Sequence, residues 1–128
     1  MHPSNVREFG ARYSAAWCSQ DPARVASFFA PDGSLTINGG APAIGREQIA
    51  ASAGAFMRDF PDLQVTMDKV VECGVRVEFH WTLTGRHAGT GRRIRISGHE
   101  DWLFSDDGLV SASLGHFDVT DYARQVGT

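Results

Sequence analysis

Arg93-Ile94-Arg95-Ile96-Ser97-Gly98-His99-Glu100-Asp101-Trp102-Leu103-Phe104 is the stretch that decides the fold, because it alternates without a break. Successive side chains on a strand point to opposite faces, so one column holds Ile94, Ile96, Gly98, Glu100, Trp102 and Phe104. The other column, Arg93, Arg95, Ser97, His99 and Asp101, is polar, as on a strand with one wet and one covered face. Glu100 is the anomaly: a single carboxyl among apolar neighbours. Burying it unpaired costs several kcal/mol, on the order of the stability of a small domain. It must therefore be protonated, paired or at the floor of a cavity, unless a bulge shifts the register by one and turns the column outward.

The same period of two runs through Leu63, Val65 and Met67, then Val75 to Leu83, then Leu109 to Val119. Turn signals separate these runs at Cys73-Gly74, within Gly85 to Gly91, and at Asp106-Asp107-Gly108. Upstream the period is helical. Val6, Phe9, Tyr13, Ala16 and Trp17 form one face of a helix that Ser4 is placed to cap. Asp21-Pro22 starts a second, short helix with Val25, Phe28 and Phe29 on its buried side, ended by Pro31-Asp32-Gly33. Ser34 to Asn38 reads as a short strand, and Gly39-Gly40-Ala41-Pro42 as a loop. A third helix follows Gly45-Arg46-Glu47, with Ile49, Ala53, Phe56 and Phe60 inward, and Pro61 stops it. Helices first and long antiparallel strands afterwards is the α+β pattern. A sheet that curls around its helices makes a cone-shaped α+β barrel whose open end is a natural small-molecule pocket.

At 128 residues the chain has the length of one domain, 1–128. Its net charge of −3 offers nucleic acid no general attraction, and Arg92, Arg93 and Arg95 read as a solvated sheet edge. No apolar run approaches the roughly 20 residues that span a bilayer, and Met1-His2-Pro3-Ser4 does not open a secretory leader, so a cytoplasmic protein without membrane contact is expected. Cys18 and Cys73 are too few for a disulfide framework and are expected to be buried thiols. His99 lies two residues from Asp101, but no third ligand has a spacing that would close a metal site, and neither a metal nor another cofactor is expected.

Arg12-Tyr13 with Trp17 and Asp21, Phe28 to Gly33, Ile44 to Glu47, Phe60 to Leu63, Trp81 to Gly85, Asp107 to Val110, and Asp118 with Gln125 follow one another in an order that resembles the nuclear transport factor 2-like superfamily, and within it the SnoaL-like group. The resemblance covers nearly the whole chain. It implies three N-terminal helices on a curved, mostly antiparallel sheet, and homodimers formed through the open sheet face. It is poorly specific for a reaction, because the superfamily includes isomerases, cyclases, epoxide hydrolases, dehydratases and plain binding proteins. In its ketosteroid isomerase branch, a tyrosine on the first helix and a neutral carboxylic acid on a late strand form an oxyanion hole. Tyr13 is similar to the first and Glu100 aligns with the second. That branch carries its base on the first strand, where this chain has Thr36, Ile37 and Asn38; the cyclases and epoxide hydrolases carry an aspartate on the last strand, where Gly115 stands with His116 beside it.

The candidate catalytic residues are thus Glu100, Tyr13 and His116. Tyr13 either donates to a substrate oxygen or packs as helix core. His116 has an imidazole suited to a base, but if Ser113, Gly115 and Phe117 face inward it faces out, where Asp101 or a dimer partner would meet it. Trp17, Phe56, Val77, Phe79, Trp81, Trp102 and Phe117 are core residues or, in a cone, the cavity wall. Asn38 either bonds a ligand or begins the turn before Gly39-Gly40. Together they point to a small hydrophobic ligand, and to either an acid–base enzyme or a non-catalytic binding or association module.

Overall fold

The computed structural model describes residues 3–127. The chain runs α1 (Val6–Cys18), α2 (Pro22–Ala26), β1 (Phe29–Ile37), β2 (Ala43–Ile44), α3 (Arg46–Asp59), β3 (Gln64–Cys73), β4 (Arg76–Arg86), β5 (Arg93–Phe104), β6 (Val110–Phe117) and α4 (Val119–Val126). One curved sheet of order β2-β1-β6-β5-β4-β3 holds all six strands, and only the β1–β6 pair is parallel. β2 and β3 are its two edges and do not meet, so the cone is open rather than a closed barrel.

β5 alternates as its sequence predicts. Ile94, Ile96, Glu100, Trp102 and Phe104 are buried, whereas Arg93, Arg95, Ser97 and Leu103 are exposed. Its register against β4 sets Val77 opposite Trp102, Phe79 opposite Glu100, and Leu83 opposite Ile96, so two apolar columns meet on one face. α1 packs across that face through Val6, Phe9, Tyr13 and Trp17. Its first turn is capped by Asn5, not Ser4: the Asn5 carboxamide oxygen accepts from the Glu8 N–H. Tyr13 meets Phe28, Phe79 and Trp102 edge-to-face, and Phe79 stacks on Trp102 at 4.8 Å.

Four further local expectations are corrected. Asp21 and Pro22 start α2 as expected, but it ends at Ala26, and Phe29 opens β1 instead of closing the helix. Pro31-Asp32-Gly33 is therefore a register shift inside β1, where a bulge tolerates proline, and not a turn before it. Cys73 is exposed at the end of β3 and Cys18 only partly buried. The last strand stops at Phe117, and Asp118, accepting from the Asp121 N–H, caps an eight-residue helix α4. That helix has a structural task. β6 pairs with β5 only from Gly98 onward, and Gln125 completes the exposed ladder by accepting from the Arg95 N–H at 2.7 Å and donating to its carbonyl at 2.9 Å. No helix among the described residues is long and apolar enough to cross a membrane.

Gly98 sits opposite Trp81 on β4 and Phe117 on β6. A Cβ there would overlap the His116 carbonyl oxygen and lie 2.7 Å from the Trp81 ring. Gly98→Ala is expected to destabilise the protein by about 1–3 kcal/mol, read as a lowered urea midpoint at unchanged slope.

Candidate functional site

Between the helices and the concave sheet face lies a cavity of about 60 Å³, room for more than one water-sized sphere. Trp17 and Phe56 reach it from α1 and α3, Leu35 and Ile37 from β1, and Phe79, Trp81 and Leu83 from β4. Ile96 and Glu100 of β5, Val65 of β3, and Gly115 and Phe117 of β6 complete the wall. Glu100 is the only ionisable side chain among them. Gly115 is its direct partner across β5 and β6, and a Cβ there would lie in ordinary contact, 3.8 Å from Glu100 Cγ. The glycine thus leaves open space beside the carboxyl without being required by the backbone.

The carboxyl is held from behind. Ser113 Oγ donates to Oε1 at 2.7 Å, Trp102 Nε1 at 2.9 Å, and the Tyr13 hydroxyl bridges both oxygens at 3.1 Å. Three strand and helix positions converge here for simple reasons of register. Trp102 is two residues along the same column, Ser113 lies opposite Trp102 on β6, and Tyr13 is on the buried stripe of α1. Oε1 accepts three hydrogen bonds and Oε2 only the shared one. A proton on this group therefore belongs on Oε2, because a protonated Oε1 would face three donors. Burial pushes the Glu100 carboxyl above its ordinary range, against the bonds from Ser113, Trp102 and Tyr13, which favour the ionised form. Burial, and then the charge of Glu100, pushes the Tyr13 hydroxyl well up, so Tyr13 keeps its proton and donates it to the carboxyl.

The candidate residues divide on these grounds. Trp17, Phe56, Phe79, Trp81 and Phe117 line the cavity with Glu100. Tyr13 does not; it is fully buried behind the carboxyl. Val77 and Trp102 are likewise fully buried in the core, one pleat beyond the cavity on their strands. Asn38 is exposed at φ 51° and accepts from the Phe117 N–H at 2.9 Å, fastening the ends of β1 and β6 instead of facing a ligand. His116 is on the outward face, 3.4 Å from Asp101. As site residues, sequence reading missed Ser113, Leu35, Ile37, Val65, Leu83 and Ile96. Ser113 was legible only through pairing, since nothing along the chain sets it beside Glu100.

The profile of the SnoaL-like domain family matches residues 11–112. The chain belongs to this family. Solved structures agree in fold. A protein of ketosteroid isomerase-like fold from Catenulispora acidiphila, crystallised with trimethylamine, is 20% identical at TM-score 0.83, over 99% of this chain and 95% of its own. A SnoaL-like polyketide cyclase candidate from Jannaschia sp. CCS1 is 17% identical at TM-score 0.78, over 98% and 96%. TerC, co-crystallised with polyporic acid, is 16% identical at TM-score 0.80, over 95% and 98%. No match is found among curated protein sequences.

The raised Glu100 value sets a sign for the stability of this SnoaL-like protein. Between the ordinary carboxyl value of about 4.3 and the higher folded value, the native state binds more protons than the unfolded chain. The contribution of Glu100 to stability is therefore full below the unfolded value and lost as pH rises through the folded one. Glu100→Gln, which mimics the protonated carboxyl, should lack this loss. Urea unfolding across pH 4 to 9 is expected to show wild type losing stability relative to Glu100→Gln as pH rises, and levelling off once Glu100 is ionised.

Proposed function

We propose that this SnoaL-like protein is an acid–base enzyme acting on a small hydrophobic polyketide-, terpenoid- or steroid-like molecule, in the manner of an isomerase, cyclase or epoxide hydrolase. One observation carries the reading: among the described residues an otherwise apolar cavity has a single ionisable group, and that group is a desolvated carboxyl whose Oε2 accepts only the bond shared with Tyr13. A binding site gains little from a buried ionisable group that a serine or glutamine replaces at lower cost, whereas proton transfer needs one. In the proposed step, protonated Oε2 donates to a carbonyl, enol or epoxide oxygen of the substrate. The charge left on the carboxylate is then spread over the bonds from Ser113, Trp102 and Tyr13, which strengthen as it ionises. Tyr13, Trp102 and Ser113 act through Glu100 and are positioning residues. The small volume of the cavity speaks against a steroid. The aromatic wall of Trp17, Phe56, Phe79 and Trp81 suits a flat ring.

A specific observation supports a second reading, a non-catalytic binding module. Thr36, Ile37, Asn38 and Gly115 leave no carboxylate where related enzymes carry a base, and no second titratable group lines the cavity among the described residues. In the enzymatic reading a bound water or the substrate itself moves the other proton.

The two readings separate in one experiment. Thermal-shift screening of hydrophobic ketones, epoxides and aromatic polyketide mimics supplies ligands, which are then tested for turnover. In the enzymatic reading Glu100→Gln lowers kcat at least about a hundredfold and leaves the melting temperature at or above wild type. Gly115→Ala folds normally and weakens binding by filling the space beside Glu100. Turnover that survives Glu100→Gln contradicts the acid–base role, and ligands that bind but never react favour the binding module.

A further inference from the structure

Odd-numbered positions of β5 face away from the cavity, and the register of the sheet assembles there what spacing along the chain does not. His80 of β4, His99 of β5 and His116 of β6 form one cross-strand row, with Glu78 and Asp101 paired in the next. The His99 and His116 rings stack at 4.8 Å, and His80 stacks on His99 at 5.3 Å. Asp101 Oδ2 lies 3.6 Å from His99 Nε2 and 3.4 Å from His116 Nε2. One carboxylate oxygen thus faces two imidazole nitrogens, and the three atoms lie within 4.8 Å of one another.

We propose that His99, Asp101 and His116 bind a divalent transition-metal ion of the zinc class on the outer sheet face. Ligand atoms about 2.0–2.2 Å from such an ion stand about 3.3 Å apart in a tetrahedron. Both histidine–aspartate separations are already close to that value. Only the two imidazoles must approach, and their partial exposure, 33% for His99 and 46% for His116, leaves them free to rotate. Asp101 is only 16% exposed and supplies the fixed point. Two imidazoles with one carboxylate is a donor set of intermediate softness, suited to zinc, cobalt or nickel rather than to calcium or magnesium. His80 is not among the ligands: its Nε2 is bound to Glu78 Oε1 at 2.9 Å, and its ring supports His99 from the far side. Three protein ligands leave a fourth position for water or for a donor from another molecule. The site is separated from the cavity by the thickness of the sheet, with Glu100 pointing inward between two ligands that point out.

The test is calorimetric titration of chelator-treated, full-length protein with Zn2+, paired with the visible spectrum of the Co2+ form. The expected result is one Zn2+ per chain, weakened about tenfold or more in His116→Ala and in Asp101→Asn and changed less than about threefold in His80→Ala. All three side chains are on the outward sheet face, Asp101 and His80 only partly exposed, and circular dichroism verifies that the variants fold. Co2+ should give d–d bands without a sulfur-to-metal charge-transfer band. Absence of saturable binding below about 1 mM overturns the proposal and leaves Asp101 as an ion-pair partner of two histidines. So does binding that persists in the His99→Ala/His116→Ala double variant, or a charge-transfer band that places the ion on Cys73.

Discussion

A carboxyl group buried on an apolar sheet face is tolerated only if its surroundings answer it. Around Glu100 three donors from three different elements do so: Tyr13 from α1, Trp102 from β5 and Ser113 from β6. Meeting that demand fixes much else. Tyr13 reaches the carboxyl only if α1 crosses the concave face at one height, and Ser113 only if β6 pairs with β5 in one register, because a slip by one residue would turn its hydroxyl to solvent. The cage is thus a specificity device for the fold as well as the setting of the candidate site, and it raises the cost of any alternative packing of α1.

The cage also divides labour between the two carboxyl oxygens. Oε1 accepts three bonds and anchors the group; Oε2 accepts only the one shared with Tyr13 and is, in the proposed function, the oxygen that exchanges a proton. Desolvation and hydrogen bonding oppose one another in setting the proton affinity, with desolvation the larger. That balance raises the proton affinity of the group while the bonds from Ser113, Trp102 and Tyr13 stabilise its charge once a proton leaves. Differences from the ketosteroid isomerase pattern follow from the same geometry. Tyr13 is spent on the carboxyl instead of being aimed into the cavity.

The alternation of β5 is strong because both of its faces are demanding: apolar core on one side, a paired polar network on the other. That is why the sheet, its order of elements and the inward direction of Glu100 were legible from period and turn residues alone. What escaped was non-local or short. α4 is only eight residues long and buries none of them fully, so its short apolar face of Val119, Tyr122 and Val126 is too brief to mark a helix by period alone, although Asp118 with Asp121 three residues on was an available cap signal. β1 begins five residues earlier than its alternation shows, because the bulge at Pro31 to Gly33 interrupts the period. Val77 and Trp102 share the inward column with Phe79 and Glu100, and only the depth of the cavity, which no pattern encodes, separates wall from core. Ser113 and the third ligand of the outer cluster, His116, are set in place by strand pairing across a hairpin.

The central claim is that Glu100 is a desolvated carboxyl poised to exchange a proton with the cavity. Carbon-detected NMR titration of its side-chain carboxyl, assigned by its loss in Glu100→Gln, tests it most directly. The account predicts a midpoint clearly above the ordinary value of about 4.3, rising further in Ser113→Ala as a bond to the ionised form is removed. A midpoint at or below the ordinary value, unmoved by Ser113→Ala, would contradict it and make Glu100 a structural anchor with no proton to give.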